Sequence, residues 1–130
     1  LGPERSATQI ELAQTDCRNI GIKAPVRSSG DTKGTPGVTL RGPNGTLTVP
    51  EGVMIADRHI HMTPAQAAAF GLADGDRVQV KIDGPKPGVM GGVLIRANDK
   101  CALDFHIDTD DGNAFLLKQG QLVTVLGKEE

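Results

Sequence analysis

The chain has 130 residues, 38% of them hydrophobic and 23% charged, with a formal net charge of -2. That balance describes a folded globular protein and gives no electrostatic reason to expect nucleic acid or an anionic membrane as partner. No apolar run approaches the roughly 20 residues of a membrane-spanning helix.

The opening residues, "LGPERSATQIEL", contain no Met and no targeting signal, and they run directly into a strand-like alternation over Thr8–Leu12. The chain therefore reads as if its beginning lay upstream. The alternation points Gln9 and Glu11 to one side and Ile10 and Leu12 to the other. "TDCRNIG" follows, with Thr15 as its expected N-cap and Gly21 as its stop, a helix of about two turns. Arg27 to Gly37, "RSSGDTKGTPG", is a loop by composition whose backbone amides are candidates for cradling an anion. It lacks the GxxxxGK[ST] spacing of a Walker loop. Two short strands come next, Val38–Leu40 and Thr46–Val49, split by the turn signal "GPNG".

Val53–Met62 reads as one strand-like run. Thr63 then caps a helix, Pro64 takes its first position, and Gly71 ends it. "ADGDRVQVKI" is a turn and a strand, and its wording resembles a strand-turn motif of double-psi barrels. "GVLIR", "CALDFHI" and "QLVTVL" supply three more strands. "GVTLR" and "GVLIR" echo each other, a weak sign of internal duplication. Seventeen glycines and eight prolines, with only Phe70, Phe105 and Phe115 as aromatics, leave a core of Val, Ile, Leu and Ala between many turns. The expected fold is mainly β, with two small helices, and barrels bury such a pattern without long exposed edges. Cys17 and Cys101 lack CxxC spacing and read as reduced intracellular thiols.

The polar signal lies in "MIADRHIHMTP" and "FHIDTDDGNA", which hold all three histidines. On a strand, residues i and i+2 share a face about 6–7 Å apart. His59 and His61 therefore face the same way, with Asp57, while Ile60 and Met62 face the other. In "CALDFHID", Cys101, Leu103, Phe105 and Ile107 form the apolar side, and Asp104, His106 and Asp108 the polar one. Three imidazoles on polar strand faces amid carboxylates suit zinc, whose fourth ligand would be a carboxylate. Spacing leaves Glu11, Asp57 and Asp108 all open for that place. Taken singly, each histidine is better read as a hydrogen-bonded surface residue. Arg5, after the rigid Gly2-Pro3, is a candidate phosphate clamp.

"QIELAQTD", "APVRSSGDTKGTPG", "VMIADRHIHMTPAQAAAFGLADGDRVQV" and "FHIDTDDGNA" resemble, in order and spacing, the PduL-type phosphate propanoyltransferases, the phosphotransacylases of bacterial microcompartments. The resemblance implies two small β-barrels with short capping helices, the first barrel incomplete in this chain, at residues 1–56, and the second at 57–130. It implies conversion of acyl-CoA and phosphate to acyl phosphate and coenzyme A, with two zinc ions in the complete enzyme. By the same resemblance His59, His61, His106 and Glu11 match the ligands of one zinc, and Arg5 matches the arginine that holds phosphate. Ser29 matches an active-site serine and Asn113 a coenzyme A contact, with His106 placed beside that cofactor. The expected location is the cytoplasm, inside a microcompartment shell.

This chain departs from the family in two places. It reads HIDTDDGNA where the family normally reads HIDTDEANA, and it lacks an upstream segment that carries a second HxH pair and further coenzyme A contacts. That segment, or a companion chain, is an expected partner, alongside small-molecule acyl-CoA and phosphate. The rival reading is a non-catalytic double-psi-like barrel that binds metal or a nucleotide.

Overall fold

The computed structural model describes residues 5–129. The chain divides into two compact units, one ending at Asp57 and the other beginning at Arg58. Each is mainly β with short helices, and no helix among the described residues is long and apolar enough to cross a membrane.

The first unit is built on β5 (Val53–Ala56), which pairs in parallel with β1 (Ile10–Glu11) on one side and β2 (Val26–Arg27) on the other. A parallel strand covered on both faces reads as a continuous apolar run, and Val53, Met54 and Ile55 are all buried. Parallel pairing needs a crossover, and α1 (Gln14–Ile20) supplies one between β1 and β2. Its N-cap is Ala13, one residue before the helix, and Gly21 ends it at φ 74°, where a left-handed residue favours glycine. Thr15 thus lies inside the helix and is not its cap. Cys17 is the buried residue of α1, and burial, followed by the neighbouring Asp16 carboxylate, pushes its thiol pKa up.

A two-stranded hairpin, β3 (Val38–Gly42) with β4 (Gly45–Val49), turns through Pro43 and Asn44. Thr35 is buried, and its hydroxyl donates to the Thr32 carbonyl at 2.6 Å and accepts from the Gly52 amide at 2.8 Å.

The second unit holds five strands in the order β10-β7-β8-β6-β9. These are β6 (His59–Met62), β7 (Arg77–Ile82), β8 (Gly88–Ala97), β9 (Asp104–His106) and β10 (Thr124–Lys128). All neighbours are antiparallel except β6 and β8. Along β7 every second residue is buried, Val78, Val80 and Ile82, as a half-buried strand requires. They pack with Ile60, Met62, Met90, Val93 and Ile95 into one apolar core. The helix α2 (Pro64–Ala69) begins as its sequence demands. Thr63 Oγ1 accepts from the Gln66 amide at 3.2 Å, while Gln66 Oε1 accepts from the Thr63 amide at 2.9 Å.

Two expectations change here. The run Val53–Met62 is not one strand: it breaks at Asp57 and Arg58 into β5 and β6, one in each unit. And no closed barrel is found among the described residues. The five-stranded ladder stops at β9 and β10, which do not pair with each other. A groove of about 630 Å³ runs beside these edges, lined by Ile60, Met62, Phe105, Ile107, Val123 and Val125 among others.

A third helix, α3 (Thr109–Phe115), stands where the sequence reading placed only a polar cluster. Asp108 caps it, accepting from the Asp111 amide at 2.8 Å. Gly112 lies within this helix, and a methyl group added there would meet the Ile107 side chain at an ordinary 3.8 Å. Since glycine weakens a helix interior through its backbone entropy, Gly112→Ala should raise stability by about 0.4–1 kcal/mol. Urea unfolding of the two proteins checks it, and a loss of stability would mean that α3 does not tolerate a side chain at that position.

Candidate metal centre

One backbone pairing and the alternation of β6 bring the three histidines together. In the antiparallel ladder between β6 and β9, His59 stands directly opposite His106, and His61 opposite Asp104. Opposed residues on one face have Cβ atoms about 4.5–5.5 Å apart, so one pairing brings together rings 47 residues apart in sequence. The ring centroids are 4.7 Å apart for His59 and His61, 5.1 Å for His59 and His106, and 4.9 Å for His61 and His106. Their ligand atoms all lie within 4.8 Å of one another. His59 is buried, His61 half-buried and His106 exposed. Ile60 and Met62, on the opposite face of β6, sit in the core.

The geometry suits a small tetrahedral cation. Two nitrogens bound to one zinc at roughly 2.0–2.1 Å are about 3.3 Å apart, and His59 Nε2 and His61 Nε2 are 3.2 Å apart. Without a cation, that separation holds one N–H···N hydrogen bond between the two rings. The imidazole of His61 has its pKa lowered, first by burial, then by the neighbouring His59 and His106 and by Arg96, with Asp104 opposing. A neutral ring is the form that ligates.

The surroundings include groups that the sequence reading missed or misplaced. Asp104 holds His106 Nε2 at 3.1 Å, the carboxylate–imidazole contact that orients ligand rings in metal sites. The Cys101 thiol was expected on the apolar side, but its Sγ lies 3.1 Å from His61 Nδ1. The strand alternation does not reach Cys101, because β9 begins only at Asp104 and the chain turns before it, with the Cys101 amide bonded to the Asn98 carbonyl. Arg58, next to His59, donates to Asp111 Oδ1 at 2.9 Å and to the Gly91 carbonyl at 3.3 Å, tying α3 to β8. Asp108, open as a ligand by spacing, is engaged in capping α3.

Glu11, Ser29 and Arg5 belong to the first unit. Arg5 and Glu11 are exposed and Ser29 is half-buried. Gln9 joins two of them. Its Nε2 donates to Glu11 Oε1 at 2.5 Å and to Ser29 Oγ at 2.9 Å, while its Oε1 accepts from the Gly30 amide at 2.6 Å. Gln9 and Glu11 share a strand face in the sequence pattern, which was the one available signal for this link. The anion-cradle reading of the loop meets a difficulty, because the amides of Gly30, Asp31, Thr32, Gly34 and Thr35 are already spent on acceptors within the unit. Asn113 is exposed on α3.

A mainly β chain with an imidazole triad on a strand face defines a candidate metalloprotein, and sequence comparison places it more closely. The family model "Phosphate propanoyltransferase" matches residues 1–118. Three curated relatives of that name come from Thermotoga maritima, Lachnoclostridium phytofermentans and Salmonella typhimurium, at 46%, 44% and 47% identity. They cover 97%, 97% and 88% of this chain. The chain belongs to the phosphate propanoyltransferase family. It spans 60%, 59% and 55% of the length of those three relatives.

Two outcomes follow for the histidines. The wild-type chain should retain zinc after dialysis and His59→Ala/His61→Ala should not, as read by elemental analysis. Equal zinc in both would remove these residues as ligands. The second outcome concerns pH in the metal-free chain. The folded His61 binds a proton less readily than the unfolded one, whose pKa is about 6.5. Its contribution is complete above that value and is lost as pH falls through the lower folded one. Urea midpoints should therefore fall on acidification below about 6.5, less steeply in His61→Gln than in wild type.

Proposed function

We propose that the chain is part of a zinc-dependent phosphate acyltransferase that interconverts acyl-CoA and phosphate with acyl phosphate and coenzyme A. The acyl group would be propanoyl or a similar short chain. The convergence of His59, His61 and His106 carries this reading, because it is a site of the kind such chemistry uses within a family named for the reaction.

A phosphate oxygen attacks the thioester carbonyl, the C–O bond forms, and the tetrahedral intermediate collapses with loss of the C–S bond. Coenzyme A leaves as its thiolate and takes up a proton. Zinc held by the three histidines, with Glu11 as carboxylate ligand, would supply Lewis acidity to the carbonyl oxygen and to phosphate. In this reading Arg5 grips phosphate through its planar fork, which neutralises charge and aligns the attacking oxygen. Ser29, whose Oγ accepts from Gln9, keeps its own hydroxyl hydrogen free to donate to an anionic oxygen. Asn113 offers an amide to coenzyme A, beside His106. No serine or cysteine nucleophile is needed, so no acyl-enzyme is proposed.

The two-barrel architecture belongs to this proposal as well, with residues 1–56 and 57–130 as its domains. In this reading an upstream segment or companion chain completes the first barrel. That segment would carry a second zinc site, and the complete enzyme would work in the cytoplasm within a bacterial microcompartment shell.

The complete gene product should release coenzyme A thiol from propanoyl-CoA only when phosphate is present. No thiol release would favour a non-catalytic metal-binding barrel, and release without any need for phosphate would mean thioester hydrolysis and overturn the phosphate acyltransferase reading. Within that assay Arg5→Lys keeps the charge but loses the fork. Phosphate-dependent turnover should fall roughly ten- to a hundredfold, the effect of one charge-assisted contact of about 1.5–3 kcal/mol. Zinc content should stay constant. If neither Arg5→Lys nor Arg5→Ala changes the phosphate kinetics, Arg5 has no such role.

A further inference from the structure

We infer that Cys101 is a positioning residue for His61. Its sulfur accepts the Nδ1–H of that imidazole and so presents Nε2, with its lone pair, to the metal site. The inference rests on the proposed metal reading of the histidine triad, but its own evidence is the contact at the far side of the ring.

A neutral imidazole carries one N–H, and whichever nitrogen bears it cannot ligate. His61 meets a different neighbour at each nitrogen: Nε2 lies 3.2 Å from His59 Nε2, and Nδ1 lies 3.1 Å from Cys101 Sγ. The three histidines form the group whose ligand atoms converge, and Cys101 sits on the nitrogen of His61 turned away from His59. It is placed to act through His61 and not as a further ligand.

The backbone holds that placement. Cys101 closes a turn in which its amide bonds to the Asn98 carbonyl at 3.1 Å and the Lys100 amide bonds to Asn98 Oδ1 at 2.8 Å. His106 has a comparable orienting contact in Asp104. An imidazole ligand commonly donates its second N–H to a carboxylate, a carbonyl or water, and losing such a partner costs about 10–100-fold in metal affinity. In this chain sulfur takes that place for His61.

The test uses the complete gene product in wild-type, Cys101→Ser and Cys101→Ala forms. Cobalt(II) serves as the metal, and long-range nitrogen–proton NMR of the metal-free proteins reports the His61 tautomer. Cys101→Ala should bind cobalt about tenfold more weakly, and Cys101→Ser, whose hydroxyl still accepts, should recover most of that loss. The wild-type cobalt spectrum should lack a thiolate-to-cobalt charge-transfer band. The metal-free wild type should show His61 protonated at Nδ1, and Cys101→Ala should show a mixture.

A charge-transfer band that disappears in Cys101→Ala would make Cys101 a ligand and overturn the inference. So would equal cobalt affinity in wild type and Cys101→Ala, or a His61 protonated at Nε2 in the metal-free wild type. If none of the proteins binds cobalt, the metal reading fails by itself. The tautomer comparison then decides the role of Cys101 alone: Nδ1–H in wild type and a mixture in Cys101→Ala supports it, and identical tautomers overturn it.

Discussion

The register of β6 between β8 and β9 is the constraint on which the rest of the second unit depends. β6 has only four residues, with Ile60 and Met62 buried in the core on one face and His59 and His61 on the other. Side chains alternate along a strand, so a slip of one residue would drive both imidazoles into the apolar core and expose Ile60 and Met62. Burying two uncompensated rings while losing two apolar side chains would cost several kcal/mol. The same packing that stabilises the unit thereby fixes which face carries the histidines. The β9 partner adds the third ring, because its pairing sets His106 opposite His59. Core and site are two faces of one short strand.

Around that strand, polar contacts hold the rings from outside the cluster. Asp104 and Cys101 reach ring nitrogens of His106 and His61, and Arg58 ties α3 to β8 immediately beside His59. A partly buried ion pair such as Arg58–Asp111 adds only about 1 kcal/mol, so its effect is better seen as fixing where α3 sits. In the first unit Gln9 plays a comparable organising part, using both amide hydrogens and its oxygen to join Glu11, Ser29 and Gly30. These groups act by orientation. Metal sites depend on fixed donors and fixed acceptors, so under the proposed function such contacts would matter more for orientation than for stability.

The family membership and the geometry bear on different questions. Membership rests on similarity across most of this chain, while the chain spans about three-fifths of the relatives' length. The geometry concerns what the present residues can do: converge three imidazoles, set polar partners on two of them, and lower the pKa of His61 by burial.

Local patterns already determined much of this in the sequence. Thr63, Pro64 and Gln66 spell a capped helix because the capping box is satisfied by neighbours in the chain. The alternation in His-Ile-His puts two rings on one face for the same local reason, since a strand reverses its side chains at every residue. The resemblance of the quoted motifs to phosphate propanoyltransferases was legible as well, and the family comparison bears it out.

The tertiary structure decided what depends on residues distant in the chain. Strand alternation says which way His106 faces but not which strand it pairs with, and only the ladder sets it across from His59. Cys101 read as core because a seven-residue alternation was assumed where the strand holds three residues, and a turn swings the thiol to His61. The α3 helix escaped notice because Asp108 looked like a ligand when it is a cap, the same carboxylate serving either purpose until its partner is known. Local sequence sets the direction of each side chain, and long-range pairing sets what that side chain meets.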